Sequence, residues 1–313
     1  MSEPVPHWPG RLVRLGRHEV YVRSVPQAAV PGEPALCVHG LEGSARNWTD
    51  LMDLLRPDLA CEAVDLPGFG NSPPRPDGKV SIAAHAQTVT ALIGKLGRGP
   101  VHLIGNSLGG AVCVKVAARR PDLVRTLTLV SPALPDSRPR LDLVRFPVMS
   151  LPVVGTRVLR RLQLTPPEHR VADVIATCFS DPARFAPERF AAEVAELTRR
   201  DSLGYGEAVL VGSLRTLTAQ AMRVGRWSPW RDAARVTAPS LVIYGRHDRL
   251  VDPRMAGRAA RAFAHARIVV LPRTGHVAHM EHPGLLAAEI RVLLGMAAGA
   301  ALAQREFPLT PAG

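Results

Sequence analysis

The feature that most constrains the fold of this chain is an alternation of short apolar runs with helix-patterned segments. Apolar runs bounded by turn residues are typical of strands buried on both faces of a sheet. The predicted buried strands are 35–39, 60–65, 101–105, 124–130, 240–244 and 267–271. Between them, helical spacing predicts helices at 48–55, 82–96, 107–119, 253–264 and 283–294. This order predicts a parallel sheet with right-handed crossovers.

Two features modify this simple pattern. Residues 11–15 and 19–24 alternate in polarity around Gly16, which is typical of a β-hairpin. From 135 to 235 there is no buried-strand run, only proline-punctuated helical patterning, clearest at 186–200 and 210–224. We therefore expect one sheet interrupted by a helical insertion. The predicted parts are a core from 1–134 and 236–296, a helical cap at 135–235, and a flexible tail at 297–313.

Charge and composition exclude several function classes. The chain has 313 residues, with Lys+Arg 39 against Asp+Glu 27 and a net charge of +12. The arginines are scattered, and aromatic residues make up 4%, which leaves few platforms for stacking nucleic-acid bases. We expect a basic solvated surface and no nucleic-acid partner.

Compartment and cofactor signals are also weak. The four cysteines show no CxxC spacing and no metal-ligand cluster, so they are interpreted as reduced thiols, and no metal or cofactor is expected. No stretch approaches the roughly 20 apolar residues that span a bilayer, and no secretory signal stands at the N-terminus. These observations favour a cytoplasmic protein without stable membrane insertion. The oligomeric state stays open.

A candidate nucleophile lies in Gly105-Asn106-Ser107-Leu108-Gly109, which fits the pattern G-x-S-x-G. The pattern requires a buried strand before it and a helix after it, and both are predicted here. The sharp turn leaves little room for side chains at the flanking positions, hence glycine. Ser107 would stand at a helix N-terminus, where free N–H groups favour developing negative charge.

A serine nucleophile needs a base, and the base needs an orienting acid. The strand at 240–244 leads into Gly245-Arg246-His247-Asp248, and the strand at 267–271 leads into Gly275-His276. Both loops follow the carboxyl ends of neighbouring strands, where sites in α/β sheets form. Asp248 and His276 are therefore the predicted acid and base, after Ser107 in the order Ser, Asp, His.

Other residues compete for these roles. Asp252 precedes Pro253 and is better interpreted as a helix cap. His279 and His282 follow His276 at a period of three, a poor spacing for metal ligands on one helical face.

An oxyanion hole is predicted in His39-Gly40-Leu41-Glu42-Gly43, which follows the strand at 35–39. Its loop can present the backbone N–H of Leu41 towards the same point as the N–H of Leu108. In this interpretation His39 is a structural residue that holds the loop.

Together these motifs resemble the α/β-hydrolase superfamily, in its lid-bearing esterase and C–C hydrolase branch. Asp65-Leu66-Pro67-Gly68-Phe69-Gly70-Asn71-Ser72 adds a further matching segment, and the matches run in family order across 11–295. The resemblance implies an eight-stranded, mostly parallel sheet with one antiparallel strand in the first hairpin and a cap after the sixth strand. It also implies acyl transfer through Ser107 on an ester substrate.

The resemblance leaves alternative chemistries open. C–C bond hydrolases share the Gly-Asn-Ser elbow, but they usually carry an aromatic residue after the histidine, where this chain has Val277. Cofactor-free perhydrolases share the same triad, and ligand receptors exist on the same fold. Dehalogenases and epoxide hydrolases use an aspartate nucleophile, so Ser107 argues against both.

Substrate contacts are predicted at Glu42, Phe146, Met149 and Val277. The apolar segment 143–155 favours small or medium apolar substrates. Arginines in the early insertion could instead recognise an acidic substrate, whereas Glu42 beside the oxyanion loop would disfavour one. Rates on neutral and carboxylated esters separate the two hypotheses.

Overall fold

The fold is described from a computed structural model, in which residues 5–26, 32–136, 149–223, 225 and 228–306 are described. Eight strands form one sheet: β1 (Gly10–Leu15), β2 (His18–Ser24), β3 (Glu33–Val38), β4 (Leu59–Val64), β5 (Val101–Asn106), β6 (Val124–Val130), β7 (Ser240–Gly245) and β8 (Ala266–Leu271). Their spatial order is β1-β2-β4-β3-β5-β6-β7-β8. The β2 strand runs opposite to the other seven strands and pairs antiparallel with β1 and β4. All the other pairs are parallel, so the predicted mostly parallel sheet is confirmed.

The helices follow the predicted order. Before the long interruption these are α1 (Thr49–Leu55), α2 (Ile82–Leu96) and α3 (Ser107–Arg119). Between β6 and β7 the described residues form α4 (Pro152–Leu162), α5 (Pro167–Cys178), α6 (Pro187–Asp201), α7 (Gly206–Ala221) and α8 (Pro229–Ala233). The chain continues with α9 (Met255–Ala262), α10 (Ala278–Glu281) and α11 (Pro283–Glu306). The boundaries predicted for the cap and the tail stay predictions.

Two apolar layers cover the two faces of the sheet. On one face, side chains of α2, α3 and α9 pack with inward residues of the strands, among them Val89, Val112 and Ala259. On the other face, α1 and α11 pack through residues such as Leu51 and Ile290. The α2 helix begins at a cap supplied by Ser81, whose side chain accepts a hydrogen bond from the Ala84 N–H. Helices on both faces are expected where a parallel sheet is buried.

Several helix boundaries differ from the sequence prediction, among them the start of α9 and the end of α11. The α9 helix begins at Met255, two residues after Pro253, because Asp252 organises the preceding turn by accepting from the Arg254 N–H at 2.9 Å. The α11 helix extends to Glu306 instead of ending at Leu294. The added residues are rich in alanine, the residue with the highest helix propensity.

Two further expectations concern the membrane and the cysteines. No helix within the described residues is long and apolar enough to cross a membrane. All four cysteines lie in described residues, and each is a free thiol: Cys37, Cys61 and Cys113 are buried, and Cys178 is partly buried.

Candidate active site

Backbone strain marks one edge of the sheet. In the described chain, four non-glycine residues have positive φ angles: Glu42 (58°), Ser107 (51°), Ser131 (44°) and Arg273 (47°). Each follows a parallel strand, after β3, β5, β6 and β8 respectively. Such conformations cost on the order of 1–3 kcal/mol each and cluster at functional sites. The strain therefore points to the same edge that the motifs predict.

Ser107 occupies the sharp turn between β5 and α3. Side chains would not fit beside it: a Cβ on Gly105 would lie 2.6 Å from the Cys113 Sγ, and one on Gly109 would lie 2.7 Å from the Val38 carbonyl carbon. These contacts explain the glycines that flank the serine. As the first residue of α3, Ser107 lies beside backbone N–H groups that have no partner within the helix.

His276 and Asp248 are in direct contact. The Nδ1 of His276 lies 2.9 Å from Oδ2 and 3.1 Å from Oδ1 of Asp248, and both side chains are buried. The same Oδ1 accepts hydrogen bonds from the N–H groups of Leu250 (2.8 Å) and Val251 (2.9 Å). The backbone of the loop after β7 thus holds the carboxylate in the position where it contacts the imidazole.

The ionisation of Asp248 follows from its surroundings. Burial raises the pKa of Asp248, but the nearby His276 and hydrogen bonds from His276, Val251 and Ser131 outweigh it and hold the pKa below its ordinary value. An ionised carboxylate only accepts hydrogen bonds, so His276 donates from Nδ1. In the neutral imidazole the lone pair is then on Nε2, the arrangement that a general base requires.

Asn106 connects the serine turn to the histidine loop. Its Nδ2 donates to the carbonyl of His276 and to the carbonyl of Val130, each at 3.1 Å. The structure therefore brings Ser107 close to the His276 backbone through its immediate neighbour. The motif contained Asn106, but sequence reasoning gave it no role.

The predicted oxyanion loop lies against the serine turn. A Cβ on Gly40 would lie 3.1 Å from the Ser107 Cβ, and so the loop after β3 approaches the candidate nucleophile at van der Waals distance. Leu41 is partly buried on this loop, and Leu108 is buried at the start of α3. Their predicted role as N–H donors stays a prediction.

His39 holds this loop in place. Its Nε2 accepts from the Leu66 N–H at 2.9 Å, and its Nδ1 donates to the Gly40 carbonyl at 2.7 Å. Burial lowers the pKa of His39 to about 4 despite the bond to Gly40, so the ring is neutral near pH 7. The ring contacts agree with a structural role.

Asp65 connects two loops of the site. Its Oδ1 accepts from the Ala45 N–H (2.6 Å) and its Oδ2 from the Asn71 N–H (2.8 Å). Burial raises the pKa of Asp65 to about 6, although both backbone bonds oppose the rise. The sequence marked Asp65 only as part of a family-like segment.

The predicted substrate contacts are in different surroundings. Glu42 is exposed, and its carbonyl accepts from Arg200 at 2.7 Å. Met149 is partly buried beside Gly155. Val277 packs in an apolar cluster with Val171, Ile175, Phe179 and Leu197, all between β6 and β7. Phe146 lies outside the described residues.

The competing histidines have structural partners. His279 is buried and stacks on Trp48, with ring centroids 4.2 Å apart, and burial lowers its pKa to about 3. His282 donates from Nε2 to the Arg273 carbonyl at 2.9 Å. Among the described residues, no group of three or more His, Cys, Asp or Glu side chains could hold a metal ion.

Sequence reasoning missed Ser131, Cys178 and Glu281. Burial, together with the charges of Asp248 and Glu42, raises the pKa of the Cys178 thiol, the last residue of α5, to about 12. Glu281 is buried and accepts one backbone hydrogen bond from the histidine loop, donated by Gly275. No local signal distinguishes Cys178 or Glu281, because the residues that they contact are distant in sequence.

The comparison with known proteins decides the family, since residues 34–283 match the alpha/beta hydrolase fold family. The chain belongs to the α/β-hydrolase family. This α/β hydrolase is 26% identical over 255 residues to a 2-hydroxy-6-oxononadienedioate/2-hydroxy-6-oxononatrienedioate hydrolase of Dechloromonas aromatica, covering 80% of this chain and 82% of the relative.

Two further comparisons are informative. The α/β hydrolase is 27% identical over 275 residues to a pimeloyl-[acyl-carrier protein] methyl ester esterase of Neisseria meningitidis, covering 86% of this chain and 94% of the relative. Its fold is similar to the structure of a 2-hydroxy-6-oxo-6-phenylhexa-2,4-dienoate hydrolase from a Rhodococcus species. There the TM-score is 0.72 at 19% identity, covering 91% of this chain and 99% of the other.

Proposed function

We propose that this α/β hydrolase is a serine hydrolase that cleaves carboxylic esters of small to medium, mainly apolar substrates through an acyl-enzyme on Ser107. One observation carries the proposal: Ser107 stands strained at the N-terminus of α3, while its neighbour Asn106 bonds the carbonyl of His276, whose ring bonds Asp248. A nucleophile, a base and an orienting acid are the parts that acyl transfer needs.

The proposed reaction has two halves. The Ser107 Oγ attacks the ester carbonyl carbon while its proton passes to the Nε2 of His276, and the N–H groups of Leu41 and Leu108 hold the resulting oxyanion. The C–O bond to the alcohol then breaks, and the alcohol leaves with the proton from His276. In the second half, a water gives its proton to His276 and attacks the acyl carbon, so that Ser107 recovers its proton and the acid is released.

The surroundings support a mainly apolar substrate. Val277, directly after His276, packs with apolar side chains of α5 and α6, so the inserted helices bring hydrophobic surface to the edge of the site. This proposal includes that the inserted helices cover the site as a cap. Glu42, near Cys178 and exposed on the oxyanion loop, would repel carboxylated esters.

The second candidate is hydrolysis of a C–C bond in a ring-cleavage dienoate. The relative from Dechloromonas aromatica, 26% identical to this chain, is named as a hydrolase of a dienedioate or trienedioate, and this similarity favours the second candidate. Val277 after the histidine, where such enzymes usually carry an aromatic residue, argues for the ester reaction.

Steady-state rates on p-nitrophenyl esters of increasing acyl length, beside a ring-cleavage dienoate, test the choice. The proposal expects multiple turnovers on neutral esters, slower turnover on carboxylated esters, and a dienoate kcat/KM far below the best ester value. A dienoate preferred over every ester would establish the second candidate. Ester binding without repeated turnover would support a ligand receptor instead.

A further inference from the structure

Glu281 lies five residues after His276, at the end of the short helix α10, and is 2% exposed. Its Oε2 accepts a hydrogen bond from the Gly275 N–H at 2.6 Å. Its Oε1 accepts from the N–H groups of Ser180 and Asp181, each at 2.9 Å. One buried carboxylate thus joins the histidine loop to a segment 100 residues earlier in the chain.

That earlier segment belongs to the helical insertion. Cys178 is the last residue of α5, and Ser180 and Asp181 connect α5 to the short 3-10 helix Pro182–Arg184. The Cys178 carbonyl accepts from the His276 N–H at 2.7 Å, so the two segments also bond directly. The contact is close on both sides, since a Cβ on Gly275 would clash with the Cys178 carbonyl and lie 2.7 Å from the Ser180 nitrogen.

These bonds surround the residue proposed as the base. The N–H of His276 is bonded to the insertion, its carbonyl to Asn106, and its ring to Asp248. Glu281 holds the peptide group immediately before it, through Gly275. The position of the imidazole therefore depends on the insertion as well as on the sheet.

We propose that Glu281 is a positioning residue that sets the catalytic histidine loop by joining Gly275 to Ser180 and Asp181 of the insertion. The proposal rests on the proposed hydrolase function of Ser107, His276 and Asp248. A carboxylate suits this role because all three of its partners are N–H donors and both of its oxygens accept. Charge-assisted bonds of this kind are about twice as strong as neutral ones.

An amide at position 281 cannot reproduce the arrangement. The Glu281→Gln side chain has one accepting oxygen and one NH₂ group that only donates. If the oxygen keeps Ser180 and Asp181, the NH₂ group faces the Gly275 N–H, and the two donors repel. The loop must then shift, and a displacement of about 1 Å at a reacting group can cost on the order of 10²-fold in rate.

The test compares Glu281→Gln with Asp232→Asn in the full chain. Asp232 of α8 also joins the insertion to the core, by accepting from Lys115 of α3 at 2.7 Å, but it touches no residue of the site. We expect Glu281→Gln to lower kcat about 10- to 100-fold at unchanged KM, because only the transition state uses the histidine. Asp232→Asn should keep kcat within about twofold, and the thermal midpoints of both variants are measured in parallel.

A proton NMR spectrum provides a readout that a purely structural role would not change. The downfield resonance of the His276 Nδ1 proton, which is shared with Asp248, should move or broaden in Glu281→Gln and stay in place in Asp232→Asn. Wild-type kcat together with an unmoved resonance in Glu281→Gln would overturn the proposal.

Two other variants preserve the test if Glu281→Gln does not fold. Glu281→Asp keeps the charge but shortens the reach, and Gly275→Ala separates the same two segments from the other side; each should lower kcat at unchanged KM. Organophosphonate labelling of the wild-type protein at Ser107 is measured separately. Absent labelling would contradict the hydrolase proposal, whereas normal labelling with unaffected kcat in both variants would contradict only the role of Glu281.

Discussion

Replacing Asp248 with asparagine tests the orientation of His276 at the level of single atoms. The Oδ1 of Asp248 is fixed by the N–H groups of Leu250 and Val251, which only donate. Because both N–H groups need an accepting atom, the oxygen of asparagine takes this place, and its NH₂ group takes the place of Oδ2, 2.9 Å from the His276 Nδ1. Two donors cannot share that contact, and the oxygen at the Oδ1 position, 3.1 Å from Nδ1, already accepts from two N–H groups. The imidazole with its proton on Nε2 is therefore favoured, and this tautomer has no lone pair there to accept the serine proton.

The expected loss is large although the change in shape is small. In a serine protease with the same triad logic, the equivalent substitution lowers kcat about 10⁴-fold through the wrong tautomer. The stability cost should stay near 1–3 kcal/mol, that of one mispaired buried group. The assay is kcat on p-nitrophenyl acetate, with the thermal midpoint measured in parallel.

Asp252→Asn is the matched control, since Asp252 follows the same strand and bonds the Arg254 N–H instead of a histidine. It should keep kcat within about twofold, because its bonded partner Arg254 is not a residue of the proposed triad. The reasoning is refuted if Asp248→Asn retains more than about a tenth of the wild-type kcat, or if Asp252→Asn is the more damaging change.

Two further predictions concern packing and pH. Gly109→Ala should unfold more easily by about 1–3 kcal/mol and lose activity, because its Cβ would clash with the Val38 and His39 carbonyls, whereas Gly94→Ala in α2, with open space around it, should gain about 0.5–1 kcal/mol; urea unfolding measures both. For His85, burial with His39 and Arg75 nearby lowers the pKa to about 3 from 6.5, so the unfolded state binds a proton that the folded state refuses, and the free energy of unfolding falls as pH drops below 6.5. His85→Phe should reduce the stability difference between about pH 7 and about pH 5 by roughly 2 kcal/mol, and an unchanged difference would contradict the pKa assignment.

The parts of the fold that local signals control could be predicted from the sequence. The α3 helix has the predicted bounds because a glycine-flanked serine starts it and Pro121 follows its end. The mostly parallel sheet follows from the strand–helix alternation, and its one antiparallel strand in the first hairpin follows from the family resemblance. The α11 helix extends beyond the predicted end at Leu294, because the alanine-rich residues that follow favour a helix.

The hydrogen bonds that organise the site could not be predicted from local sequence signals. Ser131 with its positive φ and Glu281 with its three N–H partners have no local pattern around them, because their contacts join segments far apart in the chain. The proximity of Asp248 and His276 could be predicted, because the two residues follow neighbouring parallel strands at the same edge of the sheet.

The most direct test of the central claim is intact-mass spectrometry after treatment with a fluorophosphonate probe. The account predicts one covalent adduct on the wild-type protein, mapped by peptide sequencing to Ser107, and none on Ser107→Ala at equal thermal stability. Labelling that persists on Ser107→Ala, or an adduct mapped to another residue, would contradict the assignment of the nucleophile.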